Sequence, residues 1–142
     1  MTEPGTRSVF AKLNLKDQAE IVVANAPASF EAQLRALEGV TVVRNPDEPT
    51  AITFALAFVA SQDELDALSR MLVTKAKGDA VLWFAYPKQS SRRYRCEFNR
   101  DTGWEVIRSS GFDSVRQVAI DEDWSALRFR RVEYIARSPS KR

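Results

Sequence analysis

Short apolar runs alternate along the chain with longer amphipathic stretches. The runs hold four to nine residues, the length of a β-strand, and they lack the strict alternation of a strand with one face in water. Continuous apolar runs of this length are typical of strands that helices cover on both faces. The pattern therefore predicts four buried strands, at Ile21–Ala24, Val40–Val43, Ile52–Ala60 and Ala80–Tyr86. The longest of them, Ile52–Ala60, is expected at the centre of the sheet.

Apolar residues spaced three and four positions apart predict helices between these strands. A helix of about ten residues is expected from Ser29, with Ser29 as its N-cap. Ser61 and Glu64 have the S-x-x-E spacing of a capping box, so another helix is expected to begin directly after Ser61. A third helix is predicted over Asn99–Ser110, although Gly103 inside it weakens helix formation.

The last two strand-like stretches, Val115–Ile120 and Ser125–Tyr134, are separated only by Asp121–Trp124. A loop this short joins antiparallel strands. Strands that alternate with helices indicate the α/β class. We therefore expect a single domain over residues 9–135, with a mostly parallel, Rossmann-like sheet, flanking helices and a C-terminal antiparallel hairpin.

One connection in this arrangement is tight. Residues 45–51 join the second predicted strand to the third, whereas a parallel crossover normally takes a dozen or more residues. These residues can span about 23 to 25 Å when extended, which is enough to cross one neighbouring strand. If that crossing fails, the second strand is antiparallel or absent.

The two ends of the chain, residues 1–8 and 136–142, are polar and aperiodic and are predicted to be flexible tails. The N-terminus lacks the basic start and the apolar stretch of a signal peptide. No apolar run approaches the roughly 18 to 20 residues of a membrane span. A cytoplasmic location without a membrane partner is therefore expected.

The composition excludes several kinds of active site. The sequence has no histidine, which rules out a Ser-His-Asp triad, an HExxH zinc site and an imidazole base. The single cysteine, Cys96, has arginines nearby that favour a thiolate but no histidine to act as its base. The carboxylates of Asp121–Asp123 are expected to form a solvated hairpin tip. We expect no catalytic residue, no metal site and no cofactor.

The net charge of +2 conceals an asymmetry along the chain. Residues 1–87 carry 8 basic and 11 acidic side chains, whereas residues 88–142 carry 13 basic and 8 acidic ones. The C-terminal part is therefore the candidate for attracting anions. Its excess charge is smaller than the strongly basic face that is typical of nucleic-acid-binding domains.

Polar side chains follow several of the predicted strands. In an open α/β sheet, ligands bind outside the carboxyl ends of the strands. A site for a small anionic ligand is therefore predicted at this edge. The alternative is that these residues are ordinary solvated loops. The candidate ligand-binding residues are Asn25, Ser29, Ser61, Lys88, Ser90, Asp121 and Trp124.

The connection from Lys88 to Asn99 is longer than most loops between a strand and a helix. Its arginines Arg92, Arg93 and Arg95 surround a tyrosine, a combination that grips phosphates and stacks on bases. This loop is the reason to keep nucleic acid as a partner. The favoured interpretation is different: the alternation of charged and apolar residues from Arg93 to Phe98 predicts a short edge strand with outward charges.

The order of elements, with Lys75-Ala76-Lys77-Gly78-Asp79 leading into a strand, resembles the class I S-adenosylmethionine-dependent methyltransferase fold with one strand–helix unit removed. Leu13–Pro27, Trp83–Ser91 and Asp121–Leu127 are similar to segments of a family of short bacterial proteins classed as a domain of unknown function. The resemblance covers most of the chain. It implies a Rossmann-like fold.

Two cofactor-binding features of methyltransferases are replaced in this sequence. The family has a glycine-rich turn after the first strand, and here that turn is Asn25–Ala28, without glycine. The family's acidic residue after the second strand is replaced by Arg44-Asn45. We therefore expect a non-catalytic ligand-binding or interaction module. The alternatives are a minimal S-adenosylmethionine-dependent transferase and a nucleic-acid-binding accessory protein that uses residues 88–100.

Overall fold

Six strands form one mixed sheet in the computed structural model, which describes residues 9–135. The predicted tails, residues 1–8 and 136–142, lie outside the described residues. The elements in chain order are α1 (Val9–Lys12), β1 (Glu20–Ala24), a 3-10 turn (Ala28–Phe30), α2 (Glu31–Arg35), β2 (Thr41–Val43), β3 (Ile52–Phe58), α3 (Gln62–Lys75), β4 (Ala76–Pro87), α4 (Glu105–Ser109), β5 (Phe112–Ala119), β6 (Trp124–Arg131) and α5 (Val132–Ile135).

The strands lie in the order β2-β1-β3-β4-β6-β5. The first four are parallel, and β6 is antiparallel to both β4 and β5. The predicted α/β class, the mostly parallel sheet and the C-terminal hairpin are thus confirmed. Because β2 and β3 pair with opposite sides of β1, the short link between them crosses β1, and the antiparallel alternative for β2 is wrong.

Helices cover both faces of the central strands, which explains their continuous apolar sequence. On the face that we call the α3 face, Leu65, Leu72 and Ile107 pack from α3 and α4. On the opposite face, the α1 face, Phe10 and Phe30 pack from α1 and the 3-10 turn. Strands β3 and β4 are therefore held between two hydrophobic layers.

The start of α3 is fixed by the predicted capping box. The Ser61 hydroxyl accepts a hydrogen bond from the Glu64 amide at 3.1 Å, and the Glu64 carboxylate accepts one from the Ser61 amide at 3.3 Å. Two amides that have no partner inside the helix are thereby satisfied. The predicted helix after Ser61 is confirmed.

Three predictions of local structure are wrong. The stretch after Ser29 is helical but shorter than predicted, a 3-10 turn followed by α2, and Ser29 is not the N-cap because it lies inside the turn. Of the predicted helix over Asn99–Ser110 only α4 forms, since Gly103 has φ +97°, outside the helical region. Residues 93–98 form a loop and not an edge strand.

Candidate functional site

The carboxyl ends of β1, β3 and β4 meet at one rim of the sheet. The Asn25 side chain donates a hydrogen bond to the Phe58 carbonyl at 3.3 Å, which joins the ends of β1 and β3. The Val59 amide donates to the Ala85 carbonyl at 2.8 Å, which joins the ends of β3 and β4. The bend after β1 and the end of β4 therefore lie at the same rim.

An open cleft of about 1250 Å³ lies between the start of α3 and the connection from β4 to α4. We call it the rim cleft, and we call residues 88–104 the rim loop. The side chains that line the cleft are mostly polar, and they include several of the predicted site residues. They belong to Ser61, Glu64, Lys88, Gln89, Ser91, Arg92, Tyr94, Arg95, Cys96, Glu97, Phe98, Asn99 and Thr102.

Three cationic side chains that line the rim cleft have no partner among the described residues. Lys88, Arg92 and Arg95 form no ion pair and no side-chain hydrogen bond with any described residue. The two acidic residues of the cleft are occupied: Glu64 accepts from the Ala60 amide at 2.9 Å, and Glu97 accepts from the Gln62 amide at 2.8 Å. These backbone hydrogen bonds leave both carboxylates charged, so the three cations and two carboxylates give the cleft a net charge of +1, and its cations are the charged groups that are free to bind a ligand.

The first part of the rim loop is tied to the β5–β6 hairpin. The Ser91 hydroxyl donates to the Asp123 carboxylate at 2.8 Å and accepts from the Tyr94 amide at 3.1 Å. Arg93 forms an ion pair with Asp123 at 3.8 Å. The Tyr94 ring packs on Trp124 with 4.9 Å between ring centroids. Arg93 therefore contacts the hairpin, whereas its neighbours Arg92 and Arg95 line the rim cleft.

The second part of the rim loop is tied to α3. The Glu97 amide donates to the Ala60 carbonyl at 2.9 Å, and the Gln62 side chain donates to the Gly103 carbonyl at 2.7 Å. The Trp104 indole donates to the Asn99 carbonyl at 2.7 Å. Both ends of the loop are anchored, so the cations between them are presented from a defined backbone.

The predicted ligand-binding residues divide into two groups. Ser61 and Lys88 line the rim cleft, and Lys88 also lines, with Ser90, a neighbouring cleft of about 460 Å³. Asn25, Ser29, Asp121 and Trp124 line neither cleft. The structure therefore brings part of the predicted set together, and ligand binding by these residues stays a prediction.

Besides Asn25, which bonds Phe58, two of the outlying residues have structural contacts. The Asp121 carboxylate accepts from the amides of Asp123 and Trp124, at 2.8 Å and 3.0 Å, and so closes the hairpin turn. Trp124 is 5% exposed and packs edge-on against Phe58. Its indole N–H has no hydrogen-bond partner in the described chain.

Sequence reasoning missed the residues that hold the rim loop, namely Asp123, Glu97 and Gln62. Asp123 lies 32 positions from its partner Ser91, and Glu97 lies 35 positions from Gln62. Gln62 lies 41 positions from its other partner, Gly103. No local spacing could have revealed these contacts. Only the order of the strands, which brings the hairpin beside the end of β4, places Asp123 at the loop.

Cys96 also lines the rim cleft, and it is half-buried. Burial raises the pKa of its thiol, so the lowered pKa that the neighbouring arginines suggested is wrong. Residues 9–135 contain no group of three acidic or cysteine side chains that could hold a metal ion. In the same range, no helix has both the length and the apolar character of a membrane-spanning segment.

Solved structures share this fold at low sequence identity. A SAM-dependent methyltransferase from Aquifex aeolicus is 13% identical with a TM-score of 0.59, over 86% of this chain and 87% of that one. Magnesium protoporphyrin IX methyltransferase from Synechocystis, solved with bound SAM, is 14% identical with a TM-score of 0.58, over 87% and 76%. The chain has a class I methyltransferase-like fold.

Another similar structure is that of a possible exported protein from Bordetella parapertussis. It is 10% identical with a TM-score of 0.59 over 86% of this chain, and the chain spans 65% of its length. No protein-family model and no curated protein matches the sequence. The methyltransferase-like fold is therefore shown by structural similarity.

The residues at the rim do not fit S-adenosylmethionine in the manner expected of this fold. After β1, Asn25 has φ +61° and Pro27 offers no amide, so the turn lacks the close backbone approach that glycine allows. After β2, Arg44 binds both carboxylate oxygens of Glu31, at 2.9 and 3.0 Å. That hydrogen bonding lowers the pKa of Glu31. A cation thus stands where the resemblance implies a free carboxylate.

Proposed function

We propose that residues 9–135 form one domain, a cytoplasmic, non-catalytic module with a methyltransferase-like fold, and that its rim cleft binds a small anionic ligand. The observation that carries the proposal is the set of three cations, Lys88, Arg92 and Arg95, which line one cleft and have no acidic partner within residues 9–135. Cations in a cleft attract anions more strongly than the same charges on a flat surface.

The anchoring of the rim loop supports binding. A ligand that meets a fixed loop does not have to order it, and less binding free energy is lost to conformational entropy. Ser91 and Glu97 hold the two parts of the loop to the hairpin and to α3. Tyr94, which is half-buried against Trp124, adds an aromatic wall to the cleft.

The rim cleft has room for a ligand of nucleotide size. Its volume of about 1250 Å³ exceeds the roughly 300 to 1,000 Å³ of most small-molecule pockets. Arginine and lysine side chains bind phosphate oxygens through short, charge-assisted hydrogen bonds. A triphosphate beside Tyr94 would use both features of the cleft.

Calorimetric titration with ATP, in buffer without divalent cations, tests the proposal. Saturable binding is expected, and removing the three cations together, as Lys88→Gln, Arg92→Gln and Arg95→Gln, is expected to weaken it by more than about tenfold. Arg70→Gln, on the exposed side of α3, is the matched control and should leave affinity unchanged. Tripolyphosphate, which lacks the base, shows how much affinity the phosphates supply.

Failure to bind either compound, or equal binding by the triple variant, contradicts the proposal. Two further titrations address the rival functions. Saturable binding of S-adenosylmethionine would favour the minimal transferase. Binding of a labelled single-stranded oligonucleotide, with an affinity that falls steeply with salt, would favour the nucleic-acid-binding accessory protein.

A further inference from the structure

Two arginines face each other on the α1 face of the sheet, where they share no residue with the rim cleft. Arg116 of β5 and Arg128 of β6 are direct cross-strand partners. Such partners lie on one face with Cβ atoms about 5 Å apart, and like charges in these positions destabilise the pair. Within residues 9–135 neither arginine forms an ion pair with a carboxylate.

Arg128 is half-buried, and its guanidinium is incompletely hydrogen-bonded. Its Nε is closed to water and has no partner among the described residues. Its Nη1 reaches the Asn14 side-chain oxygen at 3.5 Å, a long contact. On the other side, Arg128 pairs across the sheet with the buried Trp83. An unpaired charge held away from water is destabilising, which makes this position unusual for a purely structural residue.

The carboxylate nearby is already occupied. Asp79 of β4 binds Arg130, from Nε at 2.8 Å and from Nη2 at 2.7 Å, and these bonds lower the pKa of Asp79. Burial lowers the pKa of the Arg128 guanidinium, and the charges of Arg130 and Arg116 lower it further. Asp79 and Arg130 neutralise each other, so the positive charges of Arg116 and Arg128 remain on this part of the α1 face.

We propose that Arg116 and Arg128, with the side-chain amide of Asn14 beside them, bind a phosphate group on the α1 face. A phosphate dianion matches the two remaining charges, whereas a carboxylate would match one. Its oxygens accept hydrogen bonds from several guanidinium N–H groups at once. Because Arg116 is exposed, the phosphate can be a free ion or one end of a phosphate monoester.

Two-dimensional NMR of the ¹⁵N-labelled protein tests the site, with inorganic phosphate as the probe. The indole N–H of Trp83 and the side-chain amide of Asn14 are expected to shift saturably with phosphate, and not with acetate at equal ionic strength. Comparable binding of glycerol phosphate identifies a monoester ligand, and binding of inorganic phosphate alone identifies the free ion. If neither compound gives a saturable shift, or if acetate gives the same shift, the proposal is wrong.

Two variants separate ligand binding from a structural role. Arg116→Gln changes an exposed side chain and is expected to weaken phosphate binding by about tenfold or more. Arg128→Met is expected to raise the thermal midpoint in phosphate-free buffer, because it removes an unpaired half-buried charge, and to abolish the response to phosphate. A lowered midpoint for Arg128→Met, or unchanged affinity in Arg116→Gln, overturns the proposal.

The site can be distinguished from the rim cleft in the same experiment. In the protein with Lys88→Gln, Arg92→Gln and Arg95→Gln, the phosphate response of Trp83 is expected to persist. If it disappears there, the response came from the rim cleft and the proposal fails.

Discussion

Replacing Gly103 by alanine tests how tightly the rim loop packs around this residue, which contacts Phe98 of the same loop and Gln62 of α3. Gly103 has φ +97°, and a Cβ at this position would lie 2.6 Å from the Phe98 Cβ and 2.8 Å from the Gln62 Oε1. The Phe98 Cβ cannot move without its backbone, so the loop itself would have to shift. Gly111 provides the control, since its φ is +95° and nothing lies within 4 Å of its added Cβ.

The two variants share every effect except the steric contact. Alanine at this φ costs about 1–2 kcal/mol of backbone strain in both. Alanine also reduces the entropy of the unfolded chain equally in both. Overpacking adds about 1–3 kcal/mol in Gly103→Ala alone. We therefore expect Gly103→Ala to lower the free energy of unfolding by about 1–3 kcal/mol more than Gly111→Ala.

Urea denaturation, followed by tryptophan fluorescence, measures this difference if the slope with denaturant is the same in both variants. Equal losses of stability in Gly103→Ala and Gly111→Ala would show that the close packing of Gly103 against Phe98 within the rim loop does not exist. Titration with ATP gives a second readout. Displacement of the rim loop should weaken binding in Gly103→Ala and leave it unchanged in Gly111→Ala.

Two further predictions concern stability. Ser61→Ala removes the acceptor of the Glu64 amide and should lower the free energy of unfolding, measured by urea denaturation, by about 1 kcal/mol. Ser29→Ala should leave it unchanged, because Ser29, the N-cap predicted from the sequence, caps no helix. Asp79→Asn should cost about 0.5–1 kcal/mol at neutral pH. Because Arg130 lowers the pKa of Asp79 in the folded protein, that cost should begin to shrink below about pH 4 and vanish only as the pH falls through this lowered pKa. A constant cost would contradict the ion pair.

The central strands were predictable because strands buried on both faces have continuous apolar sequences. Ile21–Ala24 and Ile52–Ala60 agree with β1 and β3 to within two residues at each end. The start of β4 was missed, since Ala76–Asp79 is mostly polar. Arg131 donates to the carbonyls of Ala76 and Gly78, at 2.6 and 3.0 Å, and these contacts from β6 support an extended segment that its own residues do not favour.

The rim loop was mispredicted for a topological reason. Alternation over residues 93–98 resembles an edge strand, but an edge strand needs a free strand to pair with. β3 and β4 each have a partner on both sides, and the edges of the sheet are β2 and β5. The amide of Glu97 instead donates to Ala60. Strand order is not encoded in any local spacing, so neither the path of this loop nor its anchoring by Asp123 could be predicted.

The order of the strands also means that some neighbouring strands are consecutive in sequence and others are not. The pairs β1/β2, β3/β4 and β5/β6 join consecutive strands, whereas β1/β3 and β4/β6 join strands with another between them. Distant pairs close late because their loop-closure entropy must be overcome first. The Lys88 amide, directly after β4, donates a hydrogen bond to the Asp123 carbonyl, directly before β6, at 2.8 Å. In hydrogen exchange, this amide should therefore open together with the β6 amides that face β4, as one cooperative unit.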